Sequence, residues 1–197
     1  MTFRVRLATA LFIPIICCLS VLTAPAIAAS SDDKQIELID ENGRSITRLD
    51  LLGKPAIILF GFTSCPSICP TSLAELTRHV EALGPLADKL NVFFVTGDPE
   101  RDTPELLREY TAYFHDDIVG LTGTRANIDK LAKSLGAVIR KVPQDGGRYT
   151  IDHTVFAFLM DSNWQRTGVL VLDPNADFDR LNAKLKELTG STPKVTH

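Results

Sequence analysis

Cys65 and Cys69 are the residues whose type and spacing most clearly suggest chemistry, since they stand four positions apart just after the apolar run 56–60. Such a run is typical of a strand buried on both faces, and a helix beginning near Pro66 places both sulfurs on one side. Backbone N–H groups at a helix start favour the thiolate over the thiol. The pair therefore predicts metal binding, thiol–disulfide exchange or both. A structural disulfide or two buried thiols is the plainer alternative.

His153 is the histidine best placed to join these thiols. It follows the Gly-rich polar loop 143–148 and is expected to open a strand over 154–160, at a sheet edge where an active-site face lies. The other histidines are expected elsewhere: His79 on the polar side of a helix, His115 at a helix end and His197 in the terminal tail.

Two thiolates and one imidazole form a ligand set suited to copper, because the sulfurs favour Cu(I) and the nitrogen also supports Cu(II). Zinc takes the same ligand types, but it is usually four-coordinate, and the sequence shows no evident fourth side chain. A lone histidine beside an apolar strand is more often structural than a metal ligand. The residue types by themselves leave both roles of His153 open.

The N-terminal segment 1–28 has the layout of a secretory signal peptide, with Arg4 and Arg6 before an uncharged stretch over 7–31 and small residues at 26–28. The stretch is also long enough to stay as a membrane anchor. The domain is therefore expected in the periplasm or tethered to the outer face of the cytoplasmic membrane. Removal of the segment 1–28 on export would leave Cys65 and Cys69 as the only cysteines of the domain, in a compartment where disulfides persist. The net charge of −3 gives no indication of nucleic-acid binding.

The order of elements predicts one α/β domain over residues 29–190, followed by a loose tail over 191–197. Strands are predicted at 36–40, 45–49, 56–60, 91–96, 137–142, 154–160 and 165–172. Helices are predicted at 71–83, 104–114, 125–135 and 178–188. Strands that alternate with helices early and follow one another late indicate a central mixed sheet flanked by helices, as in thioredoxin-like folds.

Several ordered blocks of the sequence resemble the Sco/SenC family of copper chaperones. Segment 61–76 resembles the family's strand-CPxxCP signature, segment 98–105 resembles its DPxRDT block, and segment 119–124 resembles the strand and loop that follow. Asp152-His153-Thr154 falls where the family has its ligand histidine. The similarity extends from about Gly53 to Met160, which makes it more specific than any single motif.

The resemblance implies a thioredoxin-like fold and one copper ion held by Cys65, Cys69 and His153. It also implies a role in assembling the Cu-A centre of cytochrome c oxidase, with the Cu-A subunit and another periplasmic copper chaperone as partners. The alternative is a thiol–disulfide oxidoreductase that uses Cys65 and Cys69 as a redox pair to reduce an oxidase subunit or a copper carrier. Three residues separate the two cysteines, one more than in Cys-x-x-Cys, and this spacing favours metal binding over redox exchange. Thiol–disulfide exchange also does not require His153.

Asp98 is placed near the thiols by the same resemblance. In the functional interpretation, Asp98 supports the metal site or faces a partner protein. In the structural interpretation, it is an ordinary turn acid before Pro99. Arg101 and Asp102 are expected to pair locally and hold this turn.

Overall fold

A seven-stranded mixed sheet forms the centre of the computed structural model, which describes residues 36–190. The strand order is β2-β1-β5-β4-β3-β8-β9, and β6 and β7 form a separate two-stranded sheet. Strands β3, β4 and β5 pair in parallel, whereas the other neighbours are antiparallel. The strands are β1 (Glu37–Asp40), β2 (Ser45–Thr47), β3 (Ala56–Gly61), β4 (Asn91–Thr96), β5 (Ile118–Thr122), β6 (Ile139–Pro143), β7 (Tyr149–His153), β8 (Ala157–Met160) and β9 (Arg166–Leu170).

Four α-helices cover the two faces of this sheet. They are α1 (Ile68–Leu83), α2 (Pro104–Ala112), α3 (Arg125–Leu135) and α4 (Phe178–Gly190). The buried side chains of α1, α2 and α4 pack in one apolar cluster, and those of α3 pack in another. Alternate residues of β3 belong to the two clusters, with Ile57 and Leu59 on one side and Ile58 and Phe60 on the other. The predicted α/β architecture is therefore confirmed.

Local sequence signals account for the ends of several elements. The Thr103 and Thr124 hydroxyls accept hydrogen bonds from backbone N–H groups in the first turns of α2 and α3, and Pro104 opens α2. Helix α3 ends at Gly136, whose φ of 73° lies in the left-handed region that glycine adopts without strain. The predicted boundaries of α3 and β4 match the structure.

The largest departure from the sequence prediction concerns the segment before β8. Residues 154–156 lie outside any strand, and His153 ends β7 instead of opening the next strand. Strand β7 pairs antiparallel with β6, from Ile139 opposite His153 to Pro143 opposite Tyr149. Residues 144–148 of the predicted polar loop 143–148 are thus the turn of a hairpin that is separate from the central sheet, and Pro143 ends β6.

The predicted leader over 1–28 and tail over 191–197 lie outside the described residues. Within residues 36–190, no helix combines the length and the apolar character that crossing a bilayer requires.

Candidate metal centre

Two sulfurs and one imidazole nitrogen meet beyond the carboxyl end of β3. The ligand atoms of Cys65, Cys69 and His153 all lie within 4.8 Å of one another. The sulfur of Cys69 is 3.4 Å from Nε2 of His153. The structure therefore brings together the three side chains that the sequence singled out, from two segments far apart in the chain.

The cysteines are placed by the loop that joins β3 to α1. Helix α1 begins at Ile68, so Cys69 lies in its first turn while Cys65 precedes it, which differs from the predicted start near Pro66. A turn in which the Cys65 N–H donates to the Phe62 carbonyl at 3.2 Å folds the loop back. As a result the Cys69 N–H donates to the Cys65 sulfur at 3.5 Å, and both thiols are free.

Burial, more than the helix start, decides the protonation of Cys69. Its side chain is only 2% exposed, and this desolvation raises the pKa of the thiol well above its ordinary value, with the neighbouring Cys65 and Asp102 adding to the rise. The expectation that the helix start would favour a thiolate here is therefore wrong for the apo protein. A bound cation would have to displace the proton.

The imidazole of His153 is oriented by a backbone contact. Its Nδ1 lies 2.9 Å from the Thr154 carbonyl, an acceptor that fixes the proton on Nδ1 and leaves Nε2 to face Cys69. Phe62 packs edge-on against the ring at a centroid distance of 5.9 Å. Burial lowers the pKa of His153, which keeps the imidazole neutral and its Nε2 lone pair available.

Apolar side chains surround the two sulfurs. Phe62 and Ile151 form a buried cluster with the cysteines, and Ile139 and Tyr149 pack against it. Gly61 lies against Phe94 and the Cys69 sulfur so closely that a Cβ there would be 2.7 Å from Phe94 Cζ. The two sulfurs are therefore held by packing among apolar side chains.

Asp98 does not contact the sulfurs. It is 0% exposed, so it does not face a partner, and its Oδ1 accepts a hydrogen bond from the Tyr149 hydroxyl at 3.0 Å. Arg101 pairs with Asp98 and not with Asp102. Asp102 instead accepts hydrogen bonds from Thr63 and Thr96, which differs from the expected local pair.

His79 and His115 do not belong to this group of ligands. His79 is 2% exposed and stacks on Phe178, so the expectation that it lies on a polar face is wrong. His115 accepts a hydrogen bond from the Asp117 N–H, and His197 lies outside the described residues.

The sequence patterns did not predict strand β7 or the contact between Tyr149 and Asp98. The signal was present: 149–153 alternates around the buried Ile151, and a Gly-Gly turn separates it from the segment that forms β6. Reading that pattern as a hairpin would have placed Tyr149, Ile151 and His153 on one face.

Known proteins are similar to this chain in sequence and in fold. The family model described as SCO1/SenC matches residues 26–190. The SCO2-like protein of Rickettsia felis is 41% identical over 139 residues, which cover 70% of this chain and 68% of that protein. The structure of Bradyrhizobium japonicum ScoI with copper bound has a TM-score of 0.71 and 39% identity, covering 78% of this chain and 96% of that chain.

The crystal structure of yeast Sco1 with copper bound is about as similar to this chain as the B. japonicum structure is. Its TM-score is 0.72 with 35% sequence identity, and the match covers 81% of this chain and 89% of that chain. These neighbours confirm the predicted thioredoxin-like fold. With a family match over most of its length and a fold shared with solved relatives, the chain belongs to the SCO1/SenC family.

Proposed function

We propose that this protein binds one copper ion through Cys65, Cys69 and His153 and passes it to a recipient protein. The observation that carries the proposal is the convergence of the three ligand atoms within 4.8 Å of one another. Two sulfurs and a neutral imidazole match the preferences of Cu(I), and the nitrogen also supports Cu(II). Two copper-bound structures of similar proteins support the assignment.

Transfer by ligand exchange follows from the small number of ligands. Three ligands leave a coordination position at which a thiolate of the recipient can attack, so the ion need never be free. The Sco family is a family of cytochrome c oxidase assembly proteins. We therefore propose the Cu-A subunit of cytochrome c oxidase as the recipient, and a second periplasmic copper chaperone as a further partner.

Thiol–disulfide exchange is the second candidate function, and it is favoured by one observation. The two free thiols are adjacent, with the Cys69 N–H directed at the Cys65 sulfur at 3.5 Å. Burial of Cys69 opposes this role, because its raised pKa makes that sulfur a poor nucleophile and a poor leaving group.

Anaerobic titration of the reduced protein with Cu(I) against a chelator of known affinity tests the copper site. We expect one ion per chain. Replacement of either cysteine by serine should weaken binding by more than the 10 to 100-fold that loss of a supporting hydrogen bond typically costs. The matched control is Ser67→Ala, in the same loop, which should bind as the wild type does. Tight one-to-one binding that survives loss of both cysteines would overturn the site.

We further propose that the domain acts outside the cytoplasmic membrane, either tethered by its N-terminal segment or released after Ala28. A tether would raise the effective concentration at a membrane-bound recipient. N-terminal sequencing of the protein from fractionated cells distinguishes the two forms. Recovery in the cytoplasmic fraction would contradict both.

A further inference from the structure

Both segments that carry the candidate ligands are hydrogen bonded to one turn, residues 98–102, between β4 and α2. The turn is closed by the N–H groups of Arg101 and Asp102, which donate to the Asp98 carbonyl at 3.0 and 2.9 Å. Two of its three acids are almost fully buried, at 0% exposure for Asp98 and 1% for Asp102, whereas Glu100 is exposed. Buried carboxylates are costly unless they are paired, so the partners of these acids indicate what the turn holds.

Asp102 holds the cysteine loop. Its Oδ1 accepts from the Thr63 hydroxyl at 2.6 Å, and its Oδ2 accepts from the Thr63 N–H at 3.1 Å. Thr96, at the end of β4, donates to the same carboxylate at 2.5 Å. Since Thr63 lies two residues before Cys65, this carboxylate fixes the start of the loop that carries the sulfurs.

Asp98 holds the histidine hairpin. The Tyr149 hydroxyl donates to Asp98 Oδ1 at 3.0 Å, and Arg101 pairs with the other oxygen of the same carboxylate. The Arg101 guanidinium also lies over the Tyr149 ring, 4.0 Å from its centroid. The hairpin needs such a tie, because β6 and β7 pair with each other and not with the central sheet.

Strand geometry connects Tyr149 to the metal site. Residues 149, 151 and 153 of β7 face the same side, with Tyr149 and His153 about 13 Å apart along the strand. Ile151, between them, packs against Phe62 and the cysteines. Anchoring Tyr149 at one end therefore limits how far the imidazole at the other end can move from the sulfurs.

We propose that Asp98 and Tyr149 are positioning residues that set the distance between His153 and the two sulfurs. The inference rests on the proposed copper-binding function. It predicts that Asp98 and Tyr149 act through the imidazole, whereas Asp102 acts through the cysteine loop.

Tyr149→Phe tests this inference, because it removes the hydroxyl and keeps the ring. We expect Cu(II) affinity to fall about 10 to 100-fold, the usual range for lost support of a metal ligand. Cu(I) affinity should change less than about threefold, and the reduction potential of the cysteine pair should change by less than about 15 mV. Both quantities depend mainly on the sulfurs. Asp102→Asn should shift the reduction potential instead. Asp98→Asn should follow Tyr149→Phe in direction.

The matched control is Tyr113→Phe, since Tyr113 is 87% exposed and should leave each quantity unchanged. In a His153→Ala background, Tyr149→Phe should cause no further loss of Cu(II) affinity if Tyr149 acts through the imidazole. The metal-free proteins give an independent readout: the His153 ring resonances in NMR spectra should shift in Tyr149→Phe and stay in place in Tyr113→Phe. Thermal unfolding shows whether each variant is folded.

Three outcomes would overturn the inference. In the first, Tyr149→Phe keeps the wild-type His153 resonances and the wild-type Cu(II) affinity. In the second, Tyr149→Phe lowers the affinities for Cu(I) and Cu(II) equally, and in the third it lowers Cu(II) affinity further in the His153→Ala background. Failure of the proposed function looks different, because the wild-type protein would then show no cysteine-dependent binding of copper. If Tyr149→Phe does not fold, Asp98→Asn carries the same three comparisons.

Discussion

Each candidate ligand atom owes its place to a different short-range contact. The Cys65 sulfur receives the Cys69 N–H at the helix start, and the Cys69 sulfur packs beside Gly61. The His153 ring donates from Nδ1 to the Thr154 carbonyl, which directs Nε2 at the sulfurs. A contact of this kind orients a metal ligand before the metal arrives, which reduces the cost of ordering it on binding.

Replacing His153 by alanine separates the two candidate functions, since copper capture uses the imidazole and dithiol exchange does not. We expect strongly weakened Cu(II) binding and a milder loss for Cu(I), while the thiols still form a disulfide. The Cu(II) thiolate charge-transfer absorption, measured beside the reduction potential, reports both properties. His115→Ala is the matched control. An unchanged copper spectrum in His153→Ala would make this a structural histidine and favour the oxidoreductase function.

Gly61 is required by the close approach of β3 to its neighbours. A Cβ at this position would lie 2.7 Å from Phe94 Cζ and 3.0 Å from the Cys69 sulfur, distances that force the ring or the thiol to move. We expect Gly61→Ala to lower the free energy of unfolding by about 1 to 3 kcal/mol, as overpacking typically does. Urea denaturation measures this change.

Gly190→Ala is the control for that substitution, because a Cβ at Gly190 meets no atom of residues 36–190 within 4 Å. Its effect should stay within about 0.5 kcal/mol, as for most surface changes. Equal stability of Gly61→Ala and the wild type would show that the Phe94 ring yields without cost.

At the scale of elements, the β6–β7 hairpin and the β3–α1 loop are the two parts that must meet. Their contact is mostly apolar: Ile151 and Ile139 on the hairpin pack against Phe62 and the cysteines. Apolar packing is not directional, so it presses the hairpin onto the loop without fixing its register. The hydrogen bond from Tyr149 to Asp98 supplies a directional constraint.

Helix α4 is held against α1 by a buried polar contact. The His79 ring stacks on Phe178 at 4.5 Å, and its Nδ1 lies 3.4 Å from Asn182 Oδ1. Burial lowers the pKa of His79, although hydrogen bonding to Asn182 and the nearby Glu75 oppose this. The folded protein therefore keeps a neutral imidazole at a pH where the unfolded chain, with a histidine pKa of about 6.5, takes up a proton.

The sign of the pH effect follows from this difference. Since the unfolded state binds more protons, the contribution of His79 is complete above about pH 6.5 and is lost as the pH falls below it. Between pH 7 and 5 we expect the free energy of unfolding of the metal-free protein to fall, by at most about 1.4 kcal/mol per pH unit for one group. His79→Gln should make this dependence shallower, because an amide does not titrate.

In the metal-free protein His153 also lowers the free energy of unfolding as the pH falls, since burial lowers its pKa too. For this reason some pH dependence should remain in His79→Gln. His115→Gln is the control for loss of a partly exposed histidine outside the α1–α4 contact. A pH profile of His79→Gln that coincides with the wild-type profile, measured by urea denaturation at each pH, would contradict the prediction.

At the scale of the whole molecule, copper would join the hairpin to the β3–α1 loop and the start of α1. A ligand that binds only the folded state stabilises it by mass action, by about 4 kcal/mol when its free concentration is 1,000 times the dissociation constant. We expect Cu(I) to raise the unfolding temperature of the reduced protein and a competing chelator to reverse the rise. The Cys65→Ser variant should show little of this effect.

Hydrogen exchange locates the stabilisation within the fold. Amides of β6 and β7 should exchange more slowly with Cu(I) bound, because opening the hairpin would break the bond to His153. Amides of β3, in the middle of the sheet, serve as the internal comparison and should change less. If copper slowed the exchange of the β3 amides as much as that of the β6 and β7 amides, it would stabilise the protein only against global unfolding.

The sequence by itself determined the parts of this protein that rest on local pattern. Helical spacing, the Thr124 cap and Gly136 placed α3, and the apolar runs placed β3 and β4, because these signals depend on residues close in the chain. The two cysteines after a buried strand also indicated soft-metal or thiol chemistry, since their types and spacing are local. The family resemblance then added His153 to the site.

Only the tertiary structure decided how the site is held and how its groups ionise. Burial beneath the hairpin raises the pKa of Cys69 against the local effect of the helix start, and burial between α1 and α4 places His79 in the interior. Asp98 and Asp102 find their partners far along the chain, at Tyr149 and Thr63. Such contacts depend on which segments pack together, and periodicity in one segment carries no information about the segment that will lie against it.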